Sequence, residues 1–260
     1  MRISTSLTLL FVCSLSAETN FSGVWKANLE KSKMGGGPPV SNYLAIISQQ
    51  DNKLSESIGV WNQRGEERRS TLTYDLSGAK PSNNALRGVP MRSKVSWEGA
   101  TLVIDSQVAG IRPMKMHETW ALAGDGNTLT VNSTNMVNNQ SMNGVIVLEK
   151  QPDSAAEPLR QPEQTAAQRF KNVKVLKDIP ASQFLDAMGS FTASLGKGCD
   201  FCHVRGKDDL DDKKEKLTAR KMIEMTHNIN AQNFNGKMEV RCFTCHQGHE
   251  KPMSRPSFAD

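Results

Sequence analysis

The chain has little of what a membrane protein or a nucleic-acid-binding protein needs. Beyond residue 17, no apolar run approaches the ~20 residues of a membrane-spanning helix. Aromatic residues make up only 6% of the 260 residues, and the lysines and arginines are interspersed with acids rather than with aromatic side chains. We therefore expect no membrane span, with peripheral association left open, and no nucleic acid as a partner.

Catalytic signatures are also missing from the first 150 residues. There is no Gly-x-Ser-x-Gly turn, no phosphate-cradling loop and no cluster of acids. His117 is the only histidine there, and we expect a surface or core position for it rather than a ligand role. The sequence therefore predicts no catalytic residues in this part of the chain.

Cysteine is scarce, and four of the five cysteines lie in two short motifs near the carboxyl end. Cys199 and Cys202 are followed by His203, and Cys242 and Cys245 are followed by His246. Cys-x-x-Cys-His is the attachment pattern of c-type haem. Two thiols at this spacing form thioethers to one porphyrin, and the adjacent imidazole is the proximal iron ligand. The pattern predicts two covalently attached haem c groups.

Zinc, a redox disulfide and stabilising disulfides are the alternative interpretations of these cysteines. A four-thiolate zinc site gives no reason for a histidine after both motifs in a chain with five histidines. A thioredoxin-like pair opens a helix within a βαβ unit, and neither motif follows such a pattern. We therefore favour haem, with zinc as the main alternative.

The amino terminus has the pattern of a secretory signal peptide over residues 1–17. Arg2 precedes an apolar run, Leu7 to Leu15, and small residues follow, so we expect cleavage near Ser16 or Ala17. Lipid attachment at Cys13 is an alternative. These features predict an exported, periplasmic protein that is soluble once mature.

Residues 18–150 have the alternation of short antiparallel strands separated by turns. We expect a β-barrel or sandwich with a lipocalin-like character, in which a filled interior is favoured over a cavity for a small ligand. Nine strands are predicted: 23–29, 43–49, 54–60, 70–75, 94–97, 101–106, 116–122, 128–132 and 144–149.

The remaining sequence divides into a linker and a mostly helical module. Residues 151–168 are rich in Pro, Ala and Gln and lack apolar periodicity, which favours a flexible linker to a module at 169–260. Apolar positions predict helices over 184–195, capped by Ser182, and over 217–229. Each helix precedes one cysteine motif. The sequence thus predicts two domains, an antiparallel β domain followed by a mostly helical module.

The module resembles one two-haem half of the photosynthetic reaction centre cytochrome c subunit family. The resemblance covers Phe170 to Pro252 and rests on Phe184-Leu185-x-x-Met188, both Cys-x-x-Cys-His motifs, the run Ala219 to Met225, and Asn228-Ile229-Asn230. It implies a methionine as sixth iron ligand on the helix before each motif. Carried over by position, these ligands are Met188 and Met222, with Met225 as an alternative to Met222; His227 and His249 are the alternatives for a bis-histidine haem.

The sequence departs from that family in having one haem pair and a β domain, so the resemblance implies haem fold and ligation but not photosynthesis. His/Met ligation leaves no open iron site, which favours an electron carrier between a redox donor and a redox acceptor over an enzyme. Two alternatives are a di-haem peroxidase or oxidase with one open haem, and a sensor that uses the β domain. Because the module has few large apolar residues, we expect it to need haem for folding.

Overall fold

A computed structural model describes residues 19–35, 39–86, 88–109 and 113–252. The predicted signal peptide and Cys13 lie outside these residues. Ten strands come first: β1 (Gly23–Ala27), β2 (Val40–Gln50), β3 (Lys53–Asn62), β4 (Glu67–Asp75), β5 (Ser82–Leu86), β6 (Val89–Glu98), β7 (Thr101–Val108), β8 (Met114–Leu122), β9 (Thr128–Val137) and β10 (Gln140–Gln151). Five helices follow: α1 (Glu157–Arg160), α2 (Ala166–Arg169), α3 (Ala181–Leu195), α4 (Lys214–Asn233) and α5 (Cys242–His246). Among the described residues, no helix is long and apolar enough to cross a bilayer.

The strands form one antiparallel sheet in the order β4-β3-β2-β1-β10-β9-β8-β7-β6-β5, which curls into a nearly closed barrel. The fold prediction is confirmed, and all nine predicted strands are present. β5 was not predicted, because Ser82–Leu86 is mostly polar. β4 and β5 are the two edge strands of the sheet, and side chains of β5 join them. The Asn84 side-chain amide forms two hydrogen bonds of 2.9 Å with the backbone N–H and C=O of Thr73 on β4.

Large apolar side chains pack together in the barrel interior. Phe21 packs its ring against Trp97 at 6.1 Å and against Trp120 at 5.8 Å between ring centroids. Trp25, Leu54 and Leu102 are fully buried around them. The alternation of inward apolar and outward polar residues in the strands thus produces a core that belongs to the barrel alone.

Two acids face the barrel interior rather than water. Glu56 on β3 is only 4% exposed, and Glu118 on β8 lies on the same face of its strand as buried Trp120. Burial and the charge of Glu118 raise the pKa of Glu56 to about 8, and burial raises the pKa of Glu118 to about 7. The folded barrel therefore holds protons at pH values where the unfolded chain has lost them.

Residues 151–168 pack against the barrel, contrary to the expectation of a loose linker. Ala156 is fully buried against Val24 and Leu44, with Leu159 beside them. The Arg69 guanidinium on β4 donates to the carbonyls of Pro158 and Gln161, both at 2.7 Å. The segment also contains the short helices α1 and α2, although its composition predicted no secondary structure.

Helix α3 lies against the barrel along one face. The Ser190 hydroxyl donates to the carbonyl of Gly88 in the β5–β6 turn. A Cβ added at Gly88 would lie 1.8 Å from the Asp186 carbonyl oxygen, so the two backbones are in direct contact. Ser182 does not cap this helix: Pro180 is the N-cap, and the Ser182 hydroxyl donates to Glu163 at 2.6 Å. The helix end is as predicted, at Gly196 with φ 64°.

Replacing Glu56 should change how the free energy of unfolding depends on pH. Because the folded pKa of about 8 exceeds the usual ~4.3 of an unfolded glutamate, the unfolded state binds fewer protons between these values, and stability falls as pH rises through them. Glu56→Gln should flatten this fall and raise stability at pH 8 by on the order of a few kcal/mol, measured by denaturant unfolding at pH 5 and 8. The exposed Glu98→Gln is the control, and an unchanged slope in Glu56→Gln would contradict the assignment.

A second expectation concerns the contact between α3 and the barrel. Gly88 and Gly65 both have φ +74°, but only Gly88 faces a neighbour within 4 Å. Gly65→Ala should cost about 1–2 kcal/mol of backbone strain, whereas Gly88→Ala should cost more and speed amide hydrogen exchange in the first turns of α3. Equal effects of the two substitutions on stability and exchange would show that α3 does not rest on this turn.

Candidate functional site

The first cysteine motif follows directly from the end of α3. Gly196 in the left-handed conformation ends the helix, and a 3-10 turn over Cys199–Phe201 places the two thiols at its two ends. Cys199 is exposed and Cys202 is half-buried. Burial raises the pKa of the Cys202 thiol. The first motif is therefore a surface turn in which the Cys199 thiol is exposed and the Cys202 thiol is partly enclosed.

The second cysteine motif forms the single turn of α5. The Arg241 amide donates to the Thr244 hydroxyl at 3.0 Å, and Gln247 with φ 50° ends the turn. Cys242 is half-buried and Cys245 is exposed, so each motif has one exposed and one half-buried thiol. Burial raises the pKa of the Cys242 thiol.

Both motif histidines are oriented by a backbone carbonyl. His203 Nδ1 lies 3.0 Å from the Asp208 carbonyl oxygen, and His246 Nδ1 lies 3.0 Å from the His249 carbonyl oxygen. Because a carbonyl only accepts, Nδ1 carries the proton in each ring and Nε2 presents a lone pair. Iron-ligating histidines need this tautomer and this second hydrogen bond.

The two motifs lie within one small unit. The Gly248 amide donates to the Ser194 carbonyl at 2.9 Å, and a Cβ at Gly196 would lie 2.1 Å from the Gly248 carbonyl oxygen. The residues after the second motif are thus held against the end of α3, just before the first motif.

Met188 lies on the face of α3 that points away from the barrel. Asp186 and Ser190 contact the barrel, and Met188 is two residues, or about 200°, from each around the helix axis. Phe184, Phe191 and Leu195 share the face of Met188, and all four side chains are half-buried. The predicted apolar face is therefore present and is directed away from the barrel.

Met222 and Met225 lie on an exposed strip of α4. Their side chains are 38% and 44% exposed, whereas Lys216 and Asn230, on another side of the helix, are 8% and 2% exposed. Both methionines are exposed to a similar degree, so the choice between them as a ligand stays a prediction. Helix α4 thus buries a lysine and an asparagine while Leu217, Met222 and Met225 are exposed, which is unusual for a surface helix.

The module has no apolar core of its own. Between residues 169 and 252, all of which the structure describes, Ala181 is the one buried hydrophobic residue. Seven large apolar side chains are exposed in the same range: Leu210, Leu217, Met222, Met225, Phe234, Met238 and Phe243. A pair of planar, apolar macrocycles attached at the four cysteines fits this composition, because it would supply the apolar surface these side chains lack.

The alternative interpretations of the cysteines find little support in the geometry. All four motif cysteines have free thiols. Within the described ranges, no three His, Cys, Asp or Glu side chains converge as a metal site, so the two pairs do not form a four-thiolate cluster.

Asn230 is a structural centre of the module whose role was not predicted from the sequence. Its Nδ2 donates to the carbonyls of Thr226 at 3.0 Å and Val240 at 2.7 Å, and its Oδ1 accepts from the amides of Glu239 and Val240. One buried amide thus ties the segment before the second motif to α4. No periodicity signals such a residue, because its partners are backbone groups.

These features are those of a cytochrome c, the class of protein to which haem c is attached covalently through Cys-x-x-Cys-His motifs. The model of the photosynthetic reaction centre cytochrome c subunit family matches residues 104–255, more than half of the chain. The chain belongs to this family, as the resemblance predicted.

Relatives of known name match the module. The photosynthetic reaction center cytochrome c subunit of Rubrivivax gelatinosus is 36% identical over 91 residues, 34% of this chain and 25% of that protein. The subunit of Roseobacter denitrificans is 36% identical over 102 residues, 35% and 27% of the two chains. Cytochrome c-554 of Chloroflexus aurantiacus is 32% identical over 82 residues, 29% and 20% of the two chains. The chain thus spans about a quarter of the length of the reaction centre subunits.

Solved structures match the barrel half. Zebrafish ileal bile acid-binding protein, complexed with cholic acid, aligns with 16% identity and a TM-score of 0.35 over 50% of this chain and 98% of that chain. A point mutant of the fluorescent protein UnaG aligns with 18% identity and a TM-score of 0.36 over 51% and 96%. The barrel assignment rests on the strand order described above and not on these scores.

The role of Asn230 can be tested against a neighbour on the same helix. Asn230→Ala removes four backbone hydrogen bonds from a buried site and should cost about 2–4 kcal/mol and abolish hydrogen-exchange protection of the Glu239 and Val240 amides. Asn233→Ala removes only the exposed Nδ2 bond to the Ile229 carbonyl and should change little. Retained protection at Glu239 and Val240 in Asn230→Ala would rule out the proposed anchoring.

Proposed function

We propose that the protein is an exported di-haem cytochrome that passes single electrons between a redox donor and a redox acceptor. One haem c is bonded to Cys199 and Cys202, and a second to Cys242 and Cys245. His203 and His246 are the proximal ligands. The observation that supports this most is that the histidine of each motif donates its Nδ1–H to a backbone carbonyl. This leaves the Nε2 lone pair of both histidines available to bind iron.

The proposed sixth ligands are Met188 for the first haem and Met222, or its alternative Met225, for the second. Support comes from the apolar face of α3 that turns away from the barrel and from the exposed methionine strip of α4. Bound haem supplies an iron that changes its oxidation state by one electron. The chain's own residues would hold each macrocycle by two cysteine sulfurs and orient one imidazole through a backbone carbonyl, and a methionine as sixth ligand would exclude water and substrates from the iron.

The partners and cellular location follow from the same reasoning. Relatives are named as subunits of photosynthetic reaction centres, and the matched part is about a quarter of their length. We therefore propose redox proteins as donor and acceptor and leave photosynthesis out of the function. The proposed organisation is a signal peptide at 1–17, a barrel at 18–150, a connecting segment at 151–168 and the haem module at 169–260. Export to the periplasm suits covalent haem attachment, which in bacteria takes place outside the inner membrane.

The proposal is tested on the full chain expressed with a haem-maturation system. We expect the mass of the mature polypeptide plus two haem groups, and a haemochrome spectrum with the same count. A colourless protein of polypeptide mass would contradict the function. Binding of carbon monoxide to the reduced protein would instead favour the peroxidase or oxidase alternative, because it requires an open iron site.

The axial methionines are tested one at a time. Met188→Leu should abolish about half of the near-infrared absorption of sulfur-ligated ferric haem, since it removes one of two thioether ligands. Met222→Leu should remove the other half if Met222 is the ligand, and Met225→Leu should do so if the alternative is correct. Met136→Leu, an exposed methionine on β9, is the matched control. Undiminished absorption in Met188→Leu would eliminate it as a ligand.

A further inference from the structure

The carbonyl that orients His203 has a second donor, a buried ammonium. Asp208 O accepts from His203 Nδ1 at 3.0 Å and from Lys216 Nζ at 2.8 Å. Lys216 lies in the first turn of α4 and is only 8% exposed. Its Nζ also donates to the Leu210 carbonyl at 2.7 Å. A lysine is rarely buried to this degree, so its place behind a motif histidine is a specific feature of this site.

The charge of Lys216 is only partly compensated. Asp211 Oδ1 lies 3.2 Å from Lys216 Nζ, and the Arg220 guanidinium donates to the two oxygens of the same carboxylate at 2.9 Å. The hydrogen bonds from Arg220 hold the pKa of Asp211 well below its usual range, so the carboxylate stays ionised. Two cations therefore share one acid, so Lys216 has no carboxylate of its own to neutralise it.

The second motif differs from the first in the donors to its acceptor carbonyl. His246 Nδ1 donates to the His249 carbonyl at 3.0 Å, and between residues 113 and 252 no lysine or arginine side chain donates to that oxygen. Lys197 forms an ion pair of 3.0 Å with Glu250, and Lys251 and Lys214 also act on that carboxylate. The two histidines thus share one tautomer but differ in whether an ammonium donates to the acceptor carbonyl.

A cation on the shared carbonyl has a predictable effect on iron. The ammonium draws electron density from the Asp208 oxygen, so that oxygen is a weaker acceptor for His203 Nδ1–H. The imidazole would then donate less electron density to the iron through Nε2. Because this donation stabilises ferric iron more than ferrous iron, its loss favours the ferrous state. The positive charge itself acts in the same direction, because oxidation adds a positive charge nearby, and at a buried site this repulsion is weakly screened.

We propose that Lys216 is a positioning residue that raises the reduction potential of the first haem, acting through the Asp208 carbonyl and His203. The inference rests on the proposed function, since it needs iron on His203. It makes the two haems unequal: the first holds the electron more tightly than it would without the lysine, and the second lacks this contribution.

The test is a spectroelectrochemical titration of the holoprotein carrying Lys216→Met. The midpoint potential of one of the two one-electron steps should fall by at least about 59 mV, which is a tenfold change in the equilibrium constant, while the potential of the other step stays unchanged. Lys221→Met removes the same charge from an exposed position of α4 and should leave both steps unchanged. Two attached haems with unshifted steps, or equal shifts in both variants, would overturn the inference and leave the proposed function intact.

A second variant keeps the test decisive if Lys216→Met does not assemble. Asp211→Asn retains Lys216 and removes its counter-charge, so the potential of the first haem should rise. A fall, or no change, in a protein with two attached haems would contradict the role of Lys216. Failure to attach haem to the wild-type chain would instead contradict the proposed function, and the mass of the purified protein separates the two outcomes.

Discussion

The structure of the carboxyl-terminal module depends on a constraint in its composition: it cannot build an apolar core from its own side chains. The barrel buries Trp25, Trp120 and Leu102 completely, whereas the module buries no large hydrophobic residue and exposes seven. Fully burying one such side chain contributes about 1.5–3 kcal/mol, so the missing core is a large deficit for fewer than 100 residues. In the proposed function, covalently bound haem supplies the apolar surface that the module lacks.

Helix α3 connects the two halves of the chain because it has two different faces. One face meets the barrel through backbone contact at Gly88 and the hydroxyl of Ser190. The opposite face has the half-buried apolar residues that include Met188. The barrel and the packed segment 151–168 thus support the helix on one side, and the proposed ligand Met188 lies on the other. The barrel interior, with its own aromatic core, is independent of this arrangement.

Much of this architecture could be predicted from the sequence, and the remainder has identifiable physical reasons. Alternation located nine strands, but β5 was missed because Ser82–Leu86 is mostly polar, although it pairs with β6 in a regular ladder. Apolar spacing located α3 and α4, while Ser182 was wrongly assigned as a cap because its true partner, Glu163, is 19 residues away. The packing of Ala156 and Leu159 depends on a pocket formed by β-strands, which composition does not reveal.

The motifs predicted candidate site residues, but not what orients them. Lys216 and Asn230 act on backbone carbonyls and amides, and such partners leave no pattern in side-chain periodicity. Met222 and Met225 are not separated by spacing or by burial, since they share one face of α4 and similar exposure. Side chains that hydrogen-bond to backbone groups therefore have to be identified from the structure and not from the sequence pattern.

The most direct test of the central claim compares the holoprotein with a full-length variant in which all four motif cysteines are replaced by alanine. Amide hydrogen exchange is measured across both. If haem takes the place of a core, protection should disappear from α3 and α4 in the variant and stay unchanged in the barrel strands. Native-like protection of α3 and α4 without haem would contradict the account.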